Sequence, residues 1–341
     1  MAPRLSIAMI VRNEAALLPE CLDCIAPAAD EICVVDTGSD DETLAIAATH
    51  GCRTAVFPWT NDFAMARNAS LDLCTGDWVF VLDADERLAA KDLPRLRALT
   101  SAPPTRCFRF TTRNFTNAQG ISDFVPAPAG DPAARGFAGW FPSVKVRLFP
   151  RLPGVCFENR VHELVTPSLA RLGIAIEQAD IPIYHYPLLR APDDIRRKQE
   201  LYVELGRAKV AERPGDAQAH AELGSQYAEL GDYRNAVAAF REAVRLDPAS
   251  GEYLKDLGAT LSLFGKPQEA EQALLLAVQR APGLADAWRN LGVLAANRSA
   301  WHDAVHYLRQ ALALQPDSNQ VRDYLHQMEE HLNEGPGETT L

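Results

Sequence analysis

No stretch of this 341-residue chain approaches the ~18 to 20 consecutive apolar residues that a membrane span requires. The apolar run at the start, residues 5 to 11, ends after seven residues at Arg12, Asn13 and Glu14. It is too short for a signal peptide and lacks a small-residue cleavage site, so it reads as a strand and the expected location is cytoplasmic. An excess of positive charge is missing too: 34 Lys and Arg stand against 45 Asp and Glu, a formal net charge of −11. That is the wrong sign for a surface that neutralises phosphates, and it excludes general nucleic-acid binding. Cysteine is absent after Cys156, and the seven present are odd in number and sit mostly in apolar stretches. They read as reduced core thiols, and the close pair Cys21 and Cys24 has no second pair at zinc-ribbon spacing. Glycine-rich phosphate fingerprints are lacking as well: the turn after the first strand has no glycine, and no GxxxxGK occurs.

What is present is enough chain for two domains, with 47% hydrophobic and 23% charged residues, the composition of a folded protein. In the C-terminal half Gly224, Gly258 and Gly292 recur every 34 residues, as do Pro214, Pro248, Pro282 and Pro316. Around them Leu223, Tyr227, Ala236, Phe240 and Ala243 return as Leu257, Leu261, Ala270, Leu274 and Ala277, and again as Leu291, Ala295, Ala304, Leu308 and Ala311. Small residues let two antiparallel helices approach closely, and proline stops the second one. The pattern resembles the tetratricopeptide repeat. The expected layout is a first domain over 1–190 and a repeat region over 191–334, followed by a flexible tail, 335–341. Within the repeat region fall a partial unit 198–214, repeats 217–250, 251–284 and 285–318, and a capping helix 319–332. Such an array supplies no chemistry. Its concave surface suits a peptide or protein partner, or else it buttresses the first domain or mediates self-association.

In the N-terminal half, apolar runs alternate with helical patterns. Residues 5–11 precede a helix from Ala15 to Ile25, and residues 31–36 run into Thr37, Gly38 and Ser39. Ser39 and Glu42 are spaced as a capping box for the next helix. Residues 54–57 precede a helix over 62–73, and residues 78–82 lead into Asp83. This alternation predicts an α/β domain with a mostly parallel sheet, whose ligands sit beyond the carboxyl ends of the strands. The polar residues gather at those ends: Asn13, Asp36, and Asp83 with Asp85. Two residues apart on an extended chain, Asp83 and Asp85 would leave on the same side. Two carboxylates aimed at one point repel unless a cation or a proton separates them, and a hard divalent ion there would bridge to a diphosphate. Spacing alone equally permits solvated loop acids or helix caps.

Four motifs follow one another: Val34-Val35-Asp36-Thr37-Gly38-Ser39 with Asp41 and Thr43; Ala66-Arg67-Asn68-Ala69; Thr75-Gly76-Asp77-Trp78; and Leu82-Asp83-Ala84-Asp85-Glu86. In order and spacing they resemble the family 2 glycosyltransferases. The likeness covers about residues 5 to 90 and extends to members that carry tetratricopeptide repeats. Lipopolysaccharide-core glucosyltransferases and bacteriocin peptide S-glycosyltransferases are similar too. The resemblance implies the nucleotide-sugar-binding fold called GT-A and a metal-dependent, inverting transfer from a UDP-sugar to a saccharide, peptide or protein acceptor, with Mn²⁺ or Mg²⁺ as cofactor. It further implies that Asp36 contacts the nucleoside, Arg67 ribose or phosphate, Asp83 ribose or metal, and that Asp85 is the direct metal ligand. Asn13 joins the donor-binding set.

Residues 144–149 resemble the VRLF strand of the core glucosyltransferases, followed here by Val161, His162 and Glu163. An inverting transfer needs a carboxylate opposite the leaving group to take the acceptor proton, and Glu163 is assigned that role with His162 orienting it. His185, within Tyr184-His185-Tyr186-Pro187, matches a position where a late histidine completes the metal shell. An insert rich in Gly, Pro and Ala, residues 120–137, is expected to cover the acceptor site. The competing reading is a non-catalytic repeat scaffold with a degenerate transferase domain.

Overall fold

The computed structural model describes residues 2–118, 123–161, 163–189, 192–316 and 318–333. The expected roles of His162 and of the tail 335–341 fall outside them. The chain divides into two compact units, Met1–Pro192 and Asp193–Leu341.

The first unit begins with β1 (Leu5–Val11), α1 (Leu18–Ile25), β2 (Glu31–Asp36), α2 (Thr43–Thr49), β3 (Arg53–Val56), α3 (Phe63–Leu73) and β4 (Trp78–Val81). After them come β5 (Glu86–Arg87), α4 (Leu93–Leu99), β6 (Arg106–Thr116), β7 (Val125–Pro126), β8 (Gly139–Pro150), α5 (Thr166–Arg171), β9 (Ala175–Gln178) and β10 (Ile183–His185). The sheet runs β3-β2-β1-β4-β8-β6-β10-β5, with β7 added to β8 and β9 to β6. Strands β3, β2, β1 and β4 are all parallel, and β8 lies antiparallel to both β4 and β6.

Alternation along β1 sends Leu5, Ile7 and Met9 to a core shared with Leu18 and Leu22 of α1 and Leu96 of α4. Ala8 faces the other way, into a core with Ala64 of α3 and Leu169 of α5. Because β2 and β4 flank β1 on opposite sides, the chain reverses its direction of travel across the sheet there. The carboxyl ends of β1 and β4 therefore border the crevice where open α/β sheets bind ligands.

In the second unit, α6 (Pro192–Glu212) leads into three helix pairs: α7 (Ala217–Glu229) with α8 (Tyr233–Leu246), α9 (Gly251–Leu263) with α10 (Pro267–Arg280), and α11 (Ala285–Asn297) with α12 (Trp301–Leu314). Helix α13 (Asn319–Asn333) packs Val321, Leu325 and Met328 on the last pair. The recurring glycine has a steric cause. A Cβ on Gly258 would lie 2.6 Å from Leu274, and one on Gly292 would lie 2.7 Å from Leu308. Each glycine of a first helix thus receives the large apolar side chain of its second helix. No helix among the described residues is long and apolar enough to cross a membrane.

Candidate active site

Asp36 ends β2 and is buried. Its Oδ1 accepts hydrogen bonds from the backbone N–H of Gly38 (2.7 Å) and Ser39 (2.8 Å), folding the turn back on itself, with Gly38 at φ +109°. Its Oδ2 is buried without a hydrogen-bond partner. Asn13, in the left-handed region at φ +54°, ties the β1 turn to this one. Its N–H donates to Ser39 Oγ at 2.9 Å, and its Oδ1 accepts from Asp40 N–H at 2.9 Å. The expected capping box does not form. Ser39 Oγ is taken by Asn13, α2 starts at Thr43, and Glu42 makes no side-chain cap.

The Asp83–Asp85 segment is likewise not extended. Glu86 N–H donates to Asp83 carbonyl at 2.9 Å, closing a turn directly after β4, and the two carboxylates go to different partners. Asp83 Oδ1 accepts from Arg67 Nη2 at 2.5 Å, and its Oδ2 lies 3.6 Å from Arg147 Nη1. Burial raises the Asp83 carboxyl, but the guanidiniums of Arg67 and Arg147 outweigh it and hold the group below the usual carboxylate range. Arg67, projected from α3, donates through Nε to Glu163 Oε1, 96 residues further along the chain, at 3.2 Å, so it joins Asp83 to Glu163. Its side chain is only 7% exposed, and Nη1 has no hydrogen-bond partner.

Asp85 is 2% exposed, and its Oδ2 lies 3.3 Å from His185 Nε2. The other ring nitrogen of His185, Nδ1, contacts Asn114 Oδ1 at 2.7 Å. Asn114 donates its own Nδ2 to the Phe141 carbonyl and to Ser143 Oγ, which turns Oδ1 toward the ring. Nδ1 is therefore the donor to Asn114, and Nε2 is the ring nitrogen that faces the Asp85 carboxylate. A nitrogen and a carboxylate oxygen so placed can share either a proton or a metal ion. A carboxylate and an imidazole form a donor set that Mn²⁺ or Mg²⁺ accepts. Among the described residues no group of three or more His, Cys, Asp and Glu converges as a metal cage. A nucleotide-site ion needs none, since it takes one or two protein ligands together with substrate phosphates.

The family named Glycosyl transferase family 2 matches residues 6–120, and Tetratricopeptide repeat matches 205–250, 221–285 and 264–319. The chain belongs to the family 2 glycosyltransferases, with tetratricopeptide repeats attached. A TPR repeat-containing protein of Synechococcus elongatus is 30% identical over 92% of this chain and 76% of its own length. An uncharacterized glycosyltransferase of Rickettsia felis is 35% identical over 86 residues, 25% of this chain and 30% of that protein. The glycosyltransferase SunS of the SPbeta prophage in Bacillus subtilis is 32% identical over 85 residues, 24% of this chain and 20% of that one. These likenesses support a role in glycosyl transfer.

Within the transferase domain, then, Arg67, Asp83 and Glu163 meet in one cluster, and Asp85 meets His185. Sequence reasoning assigned no role to Arg147, Glu86 or Asn114. Arg147 Nη2 donates to Glu86 Oε1 at 2.5 Å, and Glu86 Oε2 accepts from Asp83 N–H at 2.9 Å. The pairing of β6 with β8 steps from Phe108–Leu148 to Arg109–Val146, and the residue skipped is Arg147, whose side chain this bulge aims at the cluster. A charged residue between Val146 and Leu148 was the available signal, because a buried arginine demands a buried partner. The described part of the insert is anchored to the rest of the domain. Ala134 and Phe137 pack with Phe115 and Tyr186, Tyr186 Oη donates to the Ala133 carbonyl at 2.8 Å, and Arg135 pairs with Glu20.

Proposed function

We propose that the N-terminal unit is a metal-dependent inverting glycosyltransferase that takes a UDP-sugar as donor. The observation that carries this reading is the His185–Asp85 pair, an imidazole nitrogen facing a buried carboxylate beside a cluster of carboxylates and guanidiniums. The unpartnered Oδ2 of Asp36 suits the imide N–H of uracil. The unpartnered Nη1 of Arg67 suits a diphosphate or ribose oxygen. Asp85 and His185 would hold Mn²⁺ or Mg²⁺, with Asp83 beside them, and the ion when bound offsets the charge of the departing diphosphate. Glu163 takes the proton of the acceptor hydroxyl or thiol as that group attacks the anomeric carbon. The acceptor is a saccharide, peptide or protein, and the repeat array is a surface for a protein or peptide partner.

The test is nucleotide release from a panel of UDP- and GDP-sugars with and without Mn²⁺. Metal-dependent release that Asp85→Ala abolishes supports the enzyme, whereas absence of turnover and of binding for every donor would leave a scaffold. Glu163→Gln is expected to keep donor binding and lose transfer, and near wild-type turnover would refute its role as base.

A further inference from the structure

Arg67 is a single buried cation that serves two carboxylates, and the two bonds are unequal. Asp83 is held at 2.5 Å and also faces Arg147 at 3.6 Å, while its backbone N–H is fixed by Glu86. Glu163 is held at 3.2 Å through Nε, comes from an irregular segment between β8 and α5, and its side chain is 20% exposed. The third part of the guanidinium, Nη1, is buried and unpartnered. A buried donor on a full positive charge with no acceptor is costly, so an anion arriving there is favoured. A base, in contrast, works best when its lone pairs are not already engaged by a guanidinium.

We propose that Glu163 is a built-in counter-anion of Arg67 which the diphosphate of the donor displaces, so that donor binding frees the carboxylate for the acceptor proton. This rests on the transferase reading above and adds a coupling between the two halves of the site. With the donor absent, Arg67 neutralises Glu163. With the donor bound, Arg67 turns from Glu163 to a diphosphate oxygen while keeping Asp83. In the transfer, the acceptor oxygen or sulfur bonds to the anomeric carbon as the bond from that carbon to the diphosphate breaks. The electron pair of that bond leaves with the diphosphate, and the acceptor proton passes to Glu163. The exchange also disfavours proton abstraction before a donor is in place.

The experiment is titration calorimetry of the full chain with UDP, GDP, CDP and dTDP, each with Mn²⁺, using the best-bound nucleotide thereafter. If Glu163 competes with the diphosphate for Arg67, Glu163→Gln binds that nucleotide about fivefold more tightly than wild type, a coupling of the size seen between groups in contact. The gain should fall below about twofold when Glu163→Gln is added to Arg67→Lys, because lysine lacks the forked geometry that joins both acids. A general repulsion between Glu163 and the nucleotide would persist in that background, and its persistence would overturn the exchange. Unchanged or weaker binding by Glu163→Gln would overturn it too, leaving the transferase reading in place. Failure of wild type and Glu163→Gln alike to bind any nucleoside diphosphate would remove that reading and the exchange together.

Discussion

His185 directs Nε2 at Oδ2 of Asp85 from 3.3 Å while Asn114 holds its Nδ1 at 2.7 Å. The asparagine fixes the orientation of the ring and leaves Nε2 as the nitrogen presented to the carboxylate. Outer partners of this kind tune a ligating imidazole, and their loss usually weakens metal binding about 10- to 100-fold. Asn114→Ala should therefore raise the apparent Kd for Mn²⁺, measured by calorimetry with UDP present, by about tenfold. Asp85→Ala should raise it further. Unchanged Mn²⁺ affinity in both variants would dismiss the pair as a metal site.

Arg147 and Glu86 form a buried ion pair, 5% and 2% exposed, beneath the cluster. Burial raises the Glu86 carboxyl, and Arg147 opposes that rise. Removing the cation alone leaves a buried acid without its partner, which costs about 3 kcal/mol or more. Arg147→Met should lower the stability of the full chain in urea unfolding by that order. Adding Glu86→Gln should recover part of the loss, since the stranded charge is then gone. A double variant that is no more stable than Arg147→Met would contradict this account.

Elements whose signal is local were legible in the sequence. The 34-residue spacing followed from one contact, the glycine of a first helix against the large residue of its second, and it repeats at Gly258–Leu274 and Gly292–Leu308. The acids at strand ends were visible because β2 and β4 are short apolar runs that stop at Asp36 and just before Asp83. Contacts between distant segments were not legible. Nothing in the spacing joins Arg67 to Glu163, because tertiary folding alone brings α3 beside an irregular segment. The capping box failed for the same kind of reason: its serine hydroxyl accepts from Asn13, 26 residues away, in place of a helix N–H.

Glu31 gives the first unit a defined acid sensitivity. Its side chain is 9% exposed and accepts from Ser6 Oγ at 2.5 Å, Thr75 N–H at 2.5 Å and Gly76 N–H at 3.0 Å, and it pairs with Arg53. Burial pushes its carboxyl up, and hydrogen bonds from Ser6, Thr75 and Arg53 more than reverse this, to about 2 from 4.5. A folded pKa below the unfolded one adds stability above the unfolded value, which disappears as pH falls through the folded value. Glu31→Gln should thus be less stable than wild type near neutrality. The difference should shrink below about pH 5 and be largely gone by about pH 2, measured by urea unfolding across that range. A difference that stays constant with pH would show that the charge is not its source.

The turn inside each repeat places one residue in the left-handed region, and the third repeat fills it against the pattern. Gly231 stands there at φ +82° and Gly265 at φ +76°, but the residue 34 further on is Ser299, at φ +61°. A side chain in that region meets its own carbonyl and costs roughly 1 kcal/mol, which glycine avoids. Glycine in the unfolded chain has more freedom to lose, so part of that gain is cancelled. Ser299→Gly should still stabilise the array by about 0.5 kcal/mol or more, because relief of left-handed strain exceeds the added entropy at positions where φ is positive. The converse change, Gly265→Ser, should destabilise by a similar amount. Thermal unfolding of the two variants beside wild type decides the matter: opposite shifts are expected, and shifts of the same sign would show that strain at this turn does not set the stability of the repeat.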